Sequence, residues 1–148
     1  MPDSRPPPAP TGAPLHLLRV VPLAAHSGRP GLHGPDDAYI EELWLPVLGP
    51  ASWVTWRHLG RLVRRPGTST VTLVDLAAAT GLGNRQGNQA PINRALRRLK
   101  SFKLAQCGPG VIAVRAKLPD ITERQLARLA PTIQALHHQR RRAAVRSA

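Results

Sequence analysis

The sequence predicts a mainly helical fold carrying one small β-hairpin, and three observations predict it. Apolar residues recur at helical spacing from Asp36 to Arg65 and again from Pro91 to Phe102. Gly49-Pro50 and Pro66-Gly67 punctuate the first of those stretches. Two short apolar runs flank Gly108-Pro109-Gly110, the pattern of a hairpin.

Residues 1 to 35 hold nine of the sixteen prolines. Proline fixes φ and removes a donor, so a flexible arm is expected there, with the folded domain spanning residues 36 to 136. Leu15, Leu17, Leu18, Val20, Val21 and Leu23 have the composition of a short strand or a docking motif, but the surrounding prolines point to loose order.

Asp36 and Asp37 suit a helix N-terminus through the macrodipole, and Tyr39, Ile40, Leu43, Trp44 and Val47 give that helix an apolar stripe as far as Leu48. A second helix runs from Pro50 to Arg65, with Trp53, Val54, Trp56, Leu59, Leu62 and Val63 among four arginines. The tryptophans precede the basic region instead of alternating with it, so they read as core anchors and not as a base-stacking platform. Thr70 to Leu73 favours β structure. Leu73 to Thr80 follows as a compact helix, closed by Gly81 in the left-handed region.

After a polar loop, Pro91 sits where a helix loses nothing by its missing N–H. Ile92, Ala95, Leu96, Leu99 and Phe102 form the inward stripe of a helix expected to run to Lys103. The hairpin is expected over residues 104 to 118, with strands at Leu104 to Cys107 and Val111 to Leu118. Thr122 and Gln125 make a capping box that opens a helix over residues 122 to 138. Residues 137 to 148 are expected as a basic, frayed tail.

The charge is unevenly placed. The chain of 148 residues has a formal charge of +13, and between Asp75 and Asp120 it has no carboxylate but eight basic side chains. Five of these fall on the helix from Pro91. An excess of 18 Arg over 3 Lys is what a GC-rich genome produces, so placement carries the argument. An uncompensated basic surface attracts polyanions.

The order helix, turn, basic helix, hairpin, together with the signal Asp75-Leu76-Ala77-Ala78-Ala79-Thr80-Gly81-Leu82, resembles the winged helix-turn-helix superfamily from Val71 to Leu118. The loop from Gly81 to Gln89 is longer than the three or four residues of the compact motif. Glu42 to Pro50 is also similar to stretches of small actinobacterial proteins. The resemblance implies a recognition helix at Pro91 to Lys103 lying in the major groove of double-stranded DNA, with extra helices flanking the module at both ends. Asn93 would then pair with adenine and Arg94 or Arg97 with guanine, while Arg98, Lys100 and Lys103 touch phosphate beside Ser101. Arg85, Asn88 and Gln89 serve either purpose from the loop, and Arg115 and Lys117 project outward from the second strand of the wing.

These features imply a sequence-specific DNA-binding protein acting as a transcriptional regulator. The helices at 36 to 48 and 122 to 138 could join two copies as a homodimer. The rival reading is a winged-helix protein-interaction module docking a partner of a transcription or replication complex. An RNA-binding role for Arg140 to Arg142 is weaker, because few aromatics are available for stacking. No nucleophile–base pair, phosphate-binding Gly loop or ligand cluster occurs, so a non-enzyme without metal or other cofactor is expected. His137 and His138 are adjacent, and adjacent positions diverge on a helix. The single cysteine, Cys107, and the lack of an apolar run near the roughly 20 residues of a membrane span fit a cytoplasmic, nucleoid-associated protein without membrane contact.

Overall fold

The computed structural model describes residues 17–148, so the loose order expected of residues 1–16 lies outside it. Among the described residues the architecture is mixed α/β, with six helices and a four-stranded sheet. The expected hairpin forms half of that sheet, and the other half changes the domain boundary. Strand β1 (Leu18–Pro22) pairs antiparallel with β2 (Ser69–Val71) and parallel with β4 (Val111–Val114). β3 (Ala105–Gly108) closes the edge, giving the order β2-β1-β4-β3.

The boundary expected at residue 35 is therefore corrected, because residues 18 to 35 are built into the fold. Six of the nine prolines precede Leu15, which leaves the window Leu15 to Val21 free of them. There Val20 is buried between two ladders while Arg19 faces out, the period-two pattern of a strand. Downstream, His33 exchanges backbone bonds with Leu118 at 2.7 and 2.9 Å, and Arg29 Nη2 donates to Asp120 O at 2.8 Å. Gly60 is required by the same docking, since a Cβ there would lie 2.8 Å from Pro35 Cγ.

The first expected helix is present in altered form. A π-helical turn (Ile40–Trp44) leads into α1 (Leu45–Leu48), and the Leu45 N–H donates to Ile40 O, five residues back. Pro46 accounts for the widening: it has no N–H for Glu42 O and its ring crowds that carbonyl. α2 (Pro50–Arg64) crosses the core, and Trp44 and Trp56 are anchors as expected, at 1% and 0% exposure. Their indoles donate to Pro119 O at 2.8 Å and Arg115 O at 2.7 Å.

Thr72 caps α3 (Leu73–Ala79) by accepting from Asp75 N. Gly81 at φ +72° closes it, and Leu82 N then reaches Ala77 O at 2.8 Å. α4 (Pro91–Ser101) buries Ile92, Ala95, Leu96 and Leu99 as the stripe required. It ends before Lys103, whose φ of 60° turns the chain towards β3.

The C-terminal helix is two helices. The capping box opens α5 (Glu123–Leu126), and α6 (Pro131–Arg146) follows. Pro131 forces the break, because it supplies no N–H and holds Ala130 extended at ψ 148°. The expected frayed tail is thus helical to Arg146. His137 is buried, and Arg140 pairs with Glu42. The two helical segments expected to join two copies cover each other within one chain: Tyr39 sits edge-on to His137, with ring centroids 6.2 Å apart.

Candidate nucleic-acid interface

α4 packs its apolar stripe inward, which leaves Arg94, Arg97 and Lys100 exposed on its outer side. Arg97 stands at the crest. One groove beside it, of about 570 Å³, is shared by Arg94 and Arg97 with the α2 N-terminus from Gly49 to Ser52. The other, of about 350 Å³, lies between α4 and the hairpin and brings Asn88, Asn93, Arg97 and Lys100 to the rim of an apolar floor of Leu18, Leu73, Leu96 and Ile112. Arg85, Asn88 and Gln89 are exposed in the loop before α4.

The remaining expected contacts have other employment. Arg98 Nε donates to Leu48 O at 2.6 Å and Nη2 to Val47 O at 3.0 Å, so this side chain closes the end of α1. Its guanidinium also lies 5.4 Å from the centroid of the Phe102 ring. Ser101 Oγ donates back to Arg98 O at 2.7 Å. Asn93 Nδ2 donates to Gly87 O at 2.8 Å, which pins the loop and leaves its Oδ1 for another partner.

Arg115 and Lys117 are not outward residues of a strand, because β4 stops at Val114. Arg115 instead bonds Lys103 O at 2.8 Å through Nε and reaches Ala24 O through Nη1, tying the end of α4 to the chain after β1. Lys117 is exposed on a bend before Leu118. Lys103 is exposed beyond the helix end. The hairpin turn, Gly108-Pro109-Gly110-Val111, has no charge.

The electrostatic asymmetry survives folding. Asp36 pairs with Arg57 and Arg61, Glu42 with Arg140, Glu123 with Arg141, and Asp37 and Asp120 with His33. The Arg61 hydrogen bond holds the Asp36 carboxyl below its usual value, and Arg140 does the same for Glu42. Among the described residues no carboxylate pairs with Arg85, Arg94, Arg97, Lys100, Lys103 or Lys117.

Sequence reasoning missed two features. One is Ser52, buried at the α2 N-terminus and lining the groove beside Arg94. The other is a polar cluster about Tyr39, beside α6: His33 stacks on Tyr39 at 3.9 Å and its Nε2 lies 2.6 Å from Asp120 Oδ1. Tyr39 Oη accepts from Ile121 N at 3.0 Å and is set to donate to His137 Nδ1, 3.4 Å away. These hydrogen-bonded partners are 82 to 98 positions apart in sequence, and only their scattered His and Tyr content hinted at the contact.

With Tyr39 Oη as the donor the imidazole is neutral at Nδ1, and burial, followed by the nearby Arg141, lowers the His137 pKa, which favours that form. Asp120 and Glu123 act in the opposite sense and His138 in the same one. Burial likewise pushes the Tyr39 phenol up to about 12. A histidine whose folded pKa is depressed binds fewer protons folded than unfolded, so stability falls as pH drops through the unfolded value of about 6.5. His26 and His58 are lowered by burial too, in the same direction. The expected result is a falling melting temperature on acidification across the histidine range, with a shallower fall in His137→Gln. An equal fall in both proteins would remove His137 from this linkage.

Comparisons of this chain with protein-family models, with curated proteins and with solved structures find no match.

Proposed function

We propose that this protein binds double-stranded DNA sequence-specifically and acts as a transcriptional regulator, presenting α4 to the major groove as the second helix of a winged helix-turn-helix. The observation that supports this most is that, among the described residues, no carboxylate pairs with the exposed cations of α4 and its flanking loops. An unpaired cationic ridge is unfavourable for a chain of net charge +13 unless a polyanion meets it. The chain order α2, β2, α3, α4, β3, β4 is the order the reading needs, although β1 lies between β2 and the hairpin.

Arg97 at the crest is the candidate for a base edge, with Lys100 and Lys103 on the backbone. With Arg98 and Arg115 occupied by carbonyls, about four to six cations remain for phosphate, and counterion release then sets a slope of log K against log salt near −4 to −5. Titration of a random duplex across a salt series measures it. No binding at low salt would sink the proposal.

The apolar floor between α4 and the hairpin, beside an uncharged turn, favours the second reading, a docking module of a transcription or replication complex. Its main interaction would show little salt sensitivity.

A further inference from the structure

We infer that the groove between the α2 N-terminus and α4 is a binding site for a phosphate group, held by the Ala51 and Ser52 amides, the Ser52 hydroxyl and Arg94, with Arg97 at its lip. In the proposed function the occupant is a backbone phosphodiester of the duplex, and only that choice of source rests on the DNA reading.

Two independent observations point to a ligand. α2 is a helix of 15 residues whose N-cap, Gly49, offers no side-chain oxygen and whose first residue, Pro50, has no N–H. The amides of Ala51 and Ser52 are then the leading orphan donors, at the positive end of the macrodipole, and both residues line the groove. The second observation is the Ser52 side chain. Ser52 is 3% exposed and lines the same groove, yet its hydroxyl has no hydrogen-bond partner among the described residues. A helical serine ordinarily bonds the carbonyl four residues back. Here Ser52 stands in the first turn of α2, so the residue four back, Leu48, precedes the Gly49 cap and offers no helical carbonyl to it.

Arg98 also bears on this site. By bonding Leu48 O it occupies an acceptor of a residue that lines the groove. The facing wall supplies two guanidinium groups, Arg94 and Arg97, and no carboxylate lines the groove. Amides, a hydroxyl and guanidinium groups converging from two helices suit the several oxygens of a tetrahedral oxyanion.

The test uses the full chain, labelled for amide NMR and titrated with inorganic phosphate against chloride at matched ionic strength. Saturable shifts centred on Ala51 and Ser52 are expected, with a dissociation constant on the order of 1–10 mM for so small a ligand. Ser52→Asp places a carboxylate in the cradle at a position the macrodipole favours, and Arg94→Gln removes an exposed cation without touching the core. Each should weaken phosphate at least about tenfold and lower the duplex salt slope by about 1. If Ser52→Asp fails to fold, Arg94→Gln decides alone. Silent amides, or shifts unchanged in a folded variant, overturn the site even where the duplex still binds. Phosphate shifts of the expected kind without duplex binding support the site, assign it to a free phosphate and sink the DNA reading alone.

Discussion

Deletion of residues 1–30 abolishes cooperative unfolding. Without β1, the three residues of β2 lose their sheet partner and β4 loses one of its two neighbours. Val20, buried at 4% exposure, leaves a gap between β2 and the hairpin. Each backbone donor or acceptor left buried and unpaired costs about 1–3 kcal/mol, and several together exceed what a net stability of about 5–15 kcal/mol tolerates. The deletion also removes the Arg29 bond to Asp120 O and the strand that α2 packs against. Calorimetry and near-ultraviolet circular dichroism of the tryptophans measure the effect. A sharp melt within a few degrees of the full chain would show that the sheet closes without its N-terminal strand.

Under the proposed function, Arg97→Ala should lose sequence preference, whereas Lys100→Ala should weaken binding to every duplex by a similar factor. The difference follows from position: Arg97 borders both grooves of α4, and Lys100 borders only the one beside the hairpin. A bidentate contact to a base edge discriminates by about 1–3 kcal/mol, so Arg97→Ala should lose roughly 5- to 150-fold on a preferred site and much less on random DNA. Competition between preferred and random duplexes separates the two outcomes. Equal losses on both DNAs for both substitutions would contradict the assignment of roles along α4.

What could be read from the sequence was local. The α3 turn at Gly81, the Pro91 start of α4 with its buried stripe, and the Thr122–Gln125 box each depend on residues within a few positions of one another. β1 was legible only as a strand-like composition, because its partners lie far along the chain and because proline density averaged over 35 residues hid a proline-free window. Pro131 did carry a readable signal, the start of a new helix, that the continuous apolar stripe from Leu126 to Leu136 overrode.

The candidate site divides the same way. That Arg94, Arg97 and Lys100 face outward follows from helical period. Which cations are already employed does not, since Arg98 meets carbonyls 50 and 51 residues away and Arg115 one 91 residues away. Ser52 could not be singled out either, because its burial depends on packing against α4, about forty residues on.

The central place of β1 also sets a timetable for the nascent chain. Val20 pairs with Ile112, so the sheet's inner strand is made 92 residues before one of its neighbours (112 − 20 = 92). At about 5–20 residues per second of synthesis, that strand waits roughly 5–18 seconds for β4 to leave the ribosome. During that interval only β2 and the helices already made can cover it, and the hairpin that completes the sheet must arrive beside a strand already waiting. Slower synthesis between β2 and β4 is expected to lengthen that wait, since the sheet closes only once residues 105–114 are made.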